Sequence, residues 1–260
     1  MSRFLDDLER RAQERELQGL TRRLETQPVD AATGLLDLAG NDYLGLSRHA
    51  DVIAGAVHAA QTYGTGARAS RLVSGTLGIH DELEAALVDL VGAPSCLVFS
   101  TGYQANVGAV TALADADTLI VSDAHVHASL IDGARLARAA VVVNRHNDVA
   151  QVAEILRTRS QPKALVVVES VYSVGGDAAP LADLAQVATE QHAVLLADEA
   201  HAVGVVGARG QGSCAAAGVA QESNVVVSVT LSKSLGAQGG AILAHPLVRE
   251  HLVNSARTFI

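Results

Sequence analysis

Beyond Gly75 the chain alternates short apolar runs with longer amphipathic stretches. The runs are Cys96–Phe99, Thr118–Val121, Ala140–Val143, Ala164–Glu169, Ala193–Ala197, Val225–Thr230 and Gly240–Ala244, and each has the length and β-branched content of a buried strand. Between them, Asp81–Val91, Ala128–Arg138, Val149–Arg157 and Leu181–Gln191 carry the spacing of helices, at lengths that suit crossover connections. Strands that are apolar throughout are buried on both faces. The pattern therefore predicts an α/β fold: a mainly parallel seven-stranded sheet with helices on both faces. Upstream, Phe4, Leu5, Leu8, Leu17, Leu20 and Leu24 recur among charges, which predicts an amphipathic helix over Phe4–Leu24. The expected organisation is an N-terminal helical arm over residues 1–45 and a large α/β domain over residues 46–260.

Composition narrows the partners. Of 260 residues 49% are hydrophobic, enough for a sizeable core, and the net charge of −9 lacks the basic footprint of a nucleic-acid or anionic-membrane binder. Small molecules are the expected ligands. The charged N-terminus has no apolar signal core and no run reaches a membrane span, so the protein is read as cytoplasmic. Cys96 and Cys214 sit among small or apolar residues and read as reduced thiols.

In an open α/β sheet, ligands bind beyond the carboxyl ends of the strands. Polar residues cluster there: Ser100–Tyr103, Ser122–His127, Glu169–Ser173, Asp198–His201 and Leu231–Lys233. Lys163 and Lys233 are the only lysines among 19 basic residues. A lysine amine can lose its proton and condense with an aldehyde, which a guanidinium cannot do, so a lysine in an arginine-rich chain asks for a reason. Lys163 beside Pro162 reads as a loop charge, whereas Lys233 follows a strand and is flanked by hydroxyls and glycine. Asp198 ends an apolar run, where its carboxylate needs a partner; a helix N-cap is the alternative. A pyridoxal-phosphate (PLP) site needs such a pair, a lysine and an acid for the ring nitrogen. His127 and His201 read equally as core histidines. His125, His127, Asp198 and His201 lack a recognised zinc spacing, and no metal is expected. Gly64–Arg71 is glycine-rich but matches no phosphate-loop fingerprint.

Taken in order, Asn41–Leu46, Gly102–Asn106, His127–Gly133, Asp198–Gly204, Gly207–Gly212 and Thr230–Gly236 resemble the α-oxoamine synthases, a family of PLP-dependent acyltransferases of fold type I. The resemblance spans nearly the whole chain. It implies that Lys233 holds PLP as a Schiff base and moves a proton, that Asp198 pairs with the ring nitrogen, and that His127 stacks on the ring. It also implies that His201 and Ser173 hold the phenolic oxygen, and that Gly102, Tyr103 and Thr230 bind the phosphate. The catalytic set is then Lys233, His127 and Asp198, in a homodimer with shared sites.

The segments around Ser70–Gly75 and His127–Leu130 look most like the members that condense L-alanine with a pimeloyl thioester, on coenzyme A or acyl carrier protein, in biotin biosynthesis. The likeness is to the actinobacterial ones in particular, and it implies that an arm arginine, here Arg22, meets the acyl carboxylate and that His127 also contacts substrate. Glycine with acetyl-CoA, and a non-catalytic PLP-fold binding subunit, are the alternatives. Family members continue past the position of Ile260 into a small C-terminal domain, which is expected to be absent from this chain.

Overall fold

The computed structural model describes residues 2–26 and 37–259. The chain divides into two compact units, Met1–Ala39 and Gly40–Ile260. Residues 27–36 of the expected arm lie outside the described residues.

In the N-terminal unit, helix α1 (Arg3–Leu17) is laced by ion pairs from Arg10 to Asp7 and Glu14 and from Arg11 to Asp7, at the spacing that brings side chains together on a helix. It ends at Leu17, short of the expected Leu24. Gly19 takes φ +67°, its N–H bonds Glu16 O, and Leu20 N–H bonds Arg15 O. This paired closure caps the helix through a left-handed glycine. Apolar spacing alone did not register that stop.

The second unit contains α2 (Ala50–Tyr63), α3 (Gly78–Val91), β1 (Cys96–Phe99), α4 (Gly102–Leu113), β2 (Thr118–Asp123), α5 (Ala128–Ala137), β3 (Ala140–Asn144), α6 (Val149–Thr158) and β4 (Lys163–Glu169). It continues with α7 (Leu181–Glu190), β5 (Val194–Asp198), α8 (Ser213–Ala216), β6 (Val225–Thr230), β7 (Gly240–Leu243) and α9 (Pro246–Ser255). The strands form one seven-stranded sheet in the order β1-β7-β6-β5-β4-β2-β3. From β3 to β6 all pairings are parallel, while β7 runs antiparallel to both β6 and β1. The β6–β7 link, residues 231–239, is too short for a crossover helix, so the chain turns back on itself.

Successive side chains of a strand face opposite sides, and the core divides accordingly. Leu119, Val121, Val166, Val168, Leu195, Ala197 and Val227 pack with α3, α6 and α7 on one face. Ile120, Leu165, Val167, Leu196, Val226 and Ile242 pack with α4, α5 and α9 on the other. Continuing the second alternation to the strand ends puts Glu169, Asp198, Ser228 and Thr230 on the α4/α5 face. The register places Glu169 beside Asp198 and Asp198 beside Ser228. Among the described residues no helix is long and apolar enough to cross a membrane.

Candidate active site

At the carboxyl ends of β4, β5 and β6 a cavity of about 230 Å³ is lined by Gly102, Tyr103, His127, Asp198, His201, Thr230 and Lys233, together with Asn106, Ser129, Glu169 and Ser232. Ser173 and Arg22 stand apart from this set. Ser173 is exposed and reaches the site through its backbone, its N–H donating to Glu169 Oε2 at 3.0 Å. Arg22 lies in the N-terminal unit, exposed in the irregular segment after α1.

Asp198 is 5% exposed, and its carboxylate is held from two sides. Asn106 Nδ2 donates to Oδ2 at 2.7 Å and the Ala200 N–H donates to Oδ1 at 2.9 Å. The aspartate closes its own turn rather than capping a helix. Asn106 also donates to Ser129 Oγ at 2.9 Å, and the Ser129 hydroxyl lies 2.8 Å from His127 Nδ1. The Ser129 backbone N–H donates to the same ring nitrogen at 3.2 Å, so Nδ1 is an acceptor and the neutral ring carries its proton on Nε2. A continuous chain thus joins Asp198 to His127. It forms because α4 and α5 approach closely at Gly133, where an added Cβ would meet Val110 Cβ at 2.9 Å.

Lys233 sits in the turn that follows β6, with Nζ 2.9 Å from His201 Nε2. His201 Nδ1 is 2.7 Å from the Tyr43 hydroxyl, which donates to Asn41 Oδ1 at 3.0 Å. An ammonium only donates, so with Lys233 protonated the His201 ring accepts at Nε2 and donates from Nδ1. Burial pulls the Lys233 amine below its ordinary pKa, against the opposing charges of Asp198 and Glu169. Burial, then the charge of Lys233, lowers His201 as well. Glu169, 2% exposed, is pushed up to about 7 by burial and by the neighbouring Asp198.

The remaining corner suits an anion. Gly102 and Tyr103 open α4, where backbone N–H groups precede the first intrahelical bonds. Thr230 Oγ1 and Ser232 Oγ, 2.8 Å apart, lie beside them. The corner is tight: a Cβ on Gly102 would meet Thr230 Cβ at 3.0 Å, and one on Gly240 would meet Gly102 N at 2.5 Å. Tyr103 turns its hydroxyl away to Asp132 at 2.8 Å.

The chain's sequence from residue 33 to residue 260 matches the model of the family described as aminotransferase class I and II. The chain belongs to the class I and II aminotransferase family. Within it, the chain is 51% identical to the 8-amino-7-oxononanoate synthase of Mycolicibacterium smegmatis and 50% identical to that of Mycolicibacterium gilvum, over 99% of its own length and 66% of theirs. It therefore spans just under two thirds of those relatives. Among solved members, a serine palmitoyltransferase from S. paucimobilis with a bound PLP–myriocin aldimine aligns at 35% identity and a TM-score of 0.85, covering 98% of this chain and 69% of that one. An 8-amino-7-oxononanoate synthase from Francisella tularensis aligns at 26% identity and a TM-score of 0.75, covering 87% of this chain and 63% of that one. The fold is that of the PLP-dependent transferases.

Sequence reading missed Asn106, Ser129, Glu169 and Tyr43. Glu169 could have been found from strand alternation, since Leu165-x-Val167-x-Glu169 points the carboxyl to the same face as Leu196-x-Asp198. Asn106 and Tyr43 reach the site through partners far along the chain, whereas Ser129 bonds His127 two residues before it, a helix-start spacing that could have been noted.

A second polar cluster occupies the same edge of the sheet, over β2 and β3. Asp123 Oδ1 accepts from His146 Nδ1 and from the His125 N–H, both at 2.9 Å, and Oδ2 accepts from the Asn147 N–H at 2.8 Å. His146 Nε2 donates to Asp177 Oδ2 at 2.7 Å. A carboxylate on each ring nitrogen favours the imidazolium form of His146. Burial lowers its pKa, but the two carboxylates outweigh that and leave it raised. Burial likewise works against the Asp123 charge, and the donated hydrogen bonds outweigh it.

Proposed function

We propose that this chain is the cofactor-binding part of an 8-amino-7-oxononanoate synthase, a PLP-dependent C-acyltransferase that condenses L-alanine with pimeloyl-CoA or pimeloyl-ACP, with loss of carbon dioxide, in biotin biosynthesis. The carrying observation is the convergence of Lys233, Asp198, His127 and His201 on one cavity, in a chain half identical to enzymes of that name. The wider reading includes a cytoplasmic homodimer with shared sites, and a helical arm over residues 1–45 joined to a PLP-binding domain over residues 46–260.

The residues present fit PLP. An anion corner at Gly102, Tyr103 and Thr230 suits the phosphate, the Lys233 amine suits the aldehyde, and the doubly anchored Asp198 carboxylate suits a protonated ring nitrogen. When bound, PLP supplies an aldehyde that amines condense with and a protonated ring that accepts electron density from a neighbouring carbanion.

The chain's own residues have separable tasks. Asp198 keeps a negative charge in a buried place because Asn106 and Ala200 stabilise it there. Lys233, its pKa lowered by burial, presents a free amine at lower pH than an exposed lysine would and can return a proton as the condensation proceeds. His201 accepts a hydrogen bond from the Lys233 amine and passes orientation to Tyr43. His127 is held at Nδ1 by Ser129, leaving Nε2–H for cofactor or substrate. Ser173 contributes through its backbone to Glu169. Arg22 binds the carboxylate at the far end of the acyl chain.

The test is the visible absorption of the protein on adding PLP, then L-alanine, then glycine, compared with Lys233→Ala. A lysine-linked band absent from the variant and shifted more by alanine than by glycine supports the reading. No band in the native protein, or an equal one in the variant, overturns it. Arg22→Ala should raise the KM for the pimeloyl thioester with little change in that for alanine.

A further inference from the structure

We propose that Glu169 is a positioning residue for Lys233: it holds a proton at the working pH, so that Asp198 is the one negative charge beneath the cavity and the Lys233 amine stays free to react. Glu169 and Asp198 are register partners on adjacent parallel strands and face the same side of the sheet. Neighbouring strands lie ~4.8 Å apart, and a buried carboxyl beside another carboxylate is easier to protonate.

The surrounding hydrogen bonds decide which one takes the charge. Asp198 has a donor on each oxygen, from Asn106 and Ala200. Glu169 accepts from the Ser173 N–H at Oε2, with the His127 amide nearby, and its buried Oε1 has no hydrogen-bond partner. That asymmetry matches a neutral acid whose Oε2 is the carbonyl oxygen and whose Oε1 carries the hydrogen. The titratable groups around Glu169 are Asp198 on β5, Lys233 in the β6–β7 turn, His127 at the start of α5 and the buried Tyr172 just beyond β4. Burial and Asp198 favour its protonated form, while the Ser173 and His127 amides and the Lys233 charge oppose it, and the balance lies at about 7.

The consequence falls on Lys233. An ionised Glu169 would draw the ammonium proton closer and make the amine less available, whereas a neutral Glu169 exerts no such hold. Below neutrality the amine is tuned by burial against a single anion. Above it a second anion appears, and the gain in free amine expected from rising pH is partly cancelled.

The significance for PLP chemistry rests on the proposed cofactor; the protonation does not, and the test uses no cofactor. The probe is trinitrobenzenesulfonate, an amine reagent, with labelling of Lys233 read by peptide mass spectrometry. The chain's other lysine, exposed Lys163, is the internal reference. In the native protein the Lys233-to-Lys163 labelling ratio should be level with pH below about 7 and fall above it as Glu169 ionises. In Glu169→Gln that fall should be lost, the ratio exceeding the native one by roughly three- to tenfold near pH ~8 and by less than about twofold near pH ~6. Glu169→Asp should restore the fall. An excess in Glu169→Gln that is the same at both pH values would mean that Glu169 is ionised throughout, and no excess at either would mean that it does not govern Lys233. Either result overturns the proposal. A native profile that follows a single amine titration also overturns it, and that measurement needs no variant to fold.

Discussion

Two carboxylate clusters sit at the same edge of the sheet and differ in how their charges are paired. Over β2 and β3, Asp123 takes three donors and His146 is bonded at both ring nitrogens. Over β4 to β6, Glu169 Oε1, Asn106 Oδ1 and Ser228 Oγ are buried without partners. Folding leaves few buried polar atoms unpaired, because each costs about 1–3 kcal/mol. Each cluster leaves buried oxygens unpaired, Asn144 Oδ1, Asn147 Oδ1 and the Tyr172 hydroxyl beside the first, and each lines a cavity. Only the second holds the lysine. That lysine and the register-paired carboxylates, more than incomplete satisfaction, separate the candidate site from its neighbour.

Breaking the β2/β3 cluster should have the largest effect on stability. Asp123→Ala removes the buried acceptor of the His146 ring and of two backbone amides, and should cost about 3 kcal/mol in chemical denaturation at neutral pH. Glu169→Gln should act in the opposite direction. A carboxyl whose folded pKa lies above its unfolded value loses stability as pH rises between the two, so the native fold is penalised above about pH 7. The variant should therefore be more stable than the native protein near pH ~8, by on the order of 2 kcal/mol, with the gain shrinking towards pH ~5.

His146→Gln sharpens the contrast through its pH profile. The raised pKa of His146 means that its contribution is fully present below its ordinary value of 6.5 and is lost as pH rises through the folded value. The deficit of the variant, about 1–2 kcal/mol, should accordingly narrow with rising pH. Ser129→Ala should have the smallest effect on stability, ~1 kcal/mol, since it removes the hydroxyl beside His127 Nδ1 and keeps the backbone N–H that donates to the same nitrogen. Nitrogen NMR of the His127 ring should then still show the Nε2–H form.

Much of this was readable in the chain itself. Strand positions were clear because buried strands are apolar throughout, and the site lay where strands end. Lys233 stood out because arginine was used almost everywhere else. Strand direction was not readable: the run Gly240–Leu243 has the same composition whether parallel or antiparallel, and only the short link from β6 fixes it. The end of α1 hid behind Leu20 and Leu24, whose spacing continues after the backbone has turned at Gly19. Asn106 looked like one more residue of a helix start, since its importance comes from Asp198, far along the chain.

The antiparallel β7 also imposes an order of assembly. β1 touches the rest of the sheet only through β7, with Cys96 paired to Leu243 and Phe99 to Gly240. A ribosome delivers β1 long before β7, so β1 and the start of α4 must wait for a distant segment, the kind of long-range closure that slows folding. The anion corner, where Gly240 passes against Gly102, is completed only when β7 arrives. A nascent chain can thus build β2 to β6 and still have nowhere to seat a phosphate until β7 slides between β1 and β6.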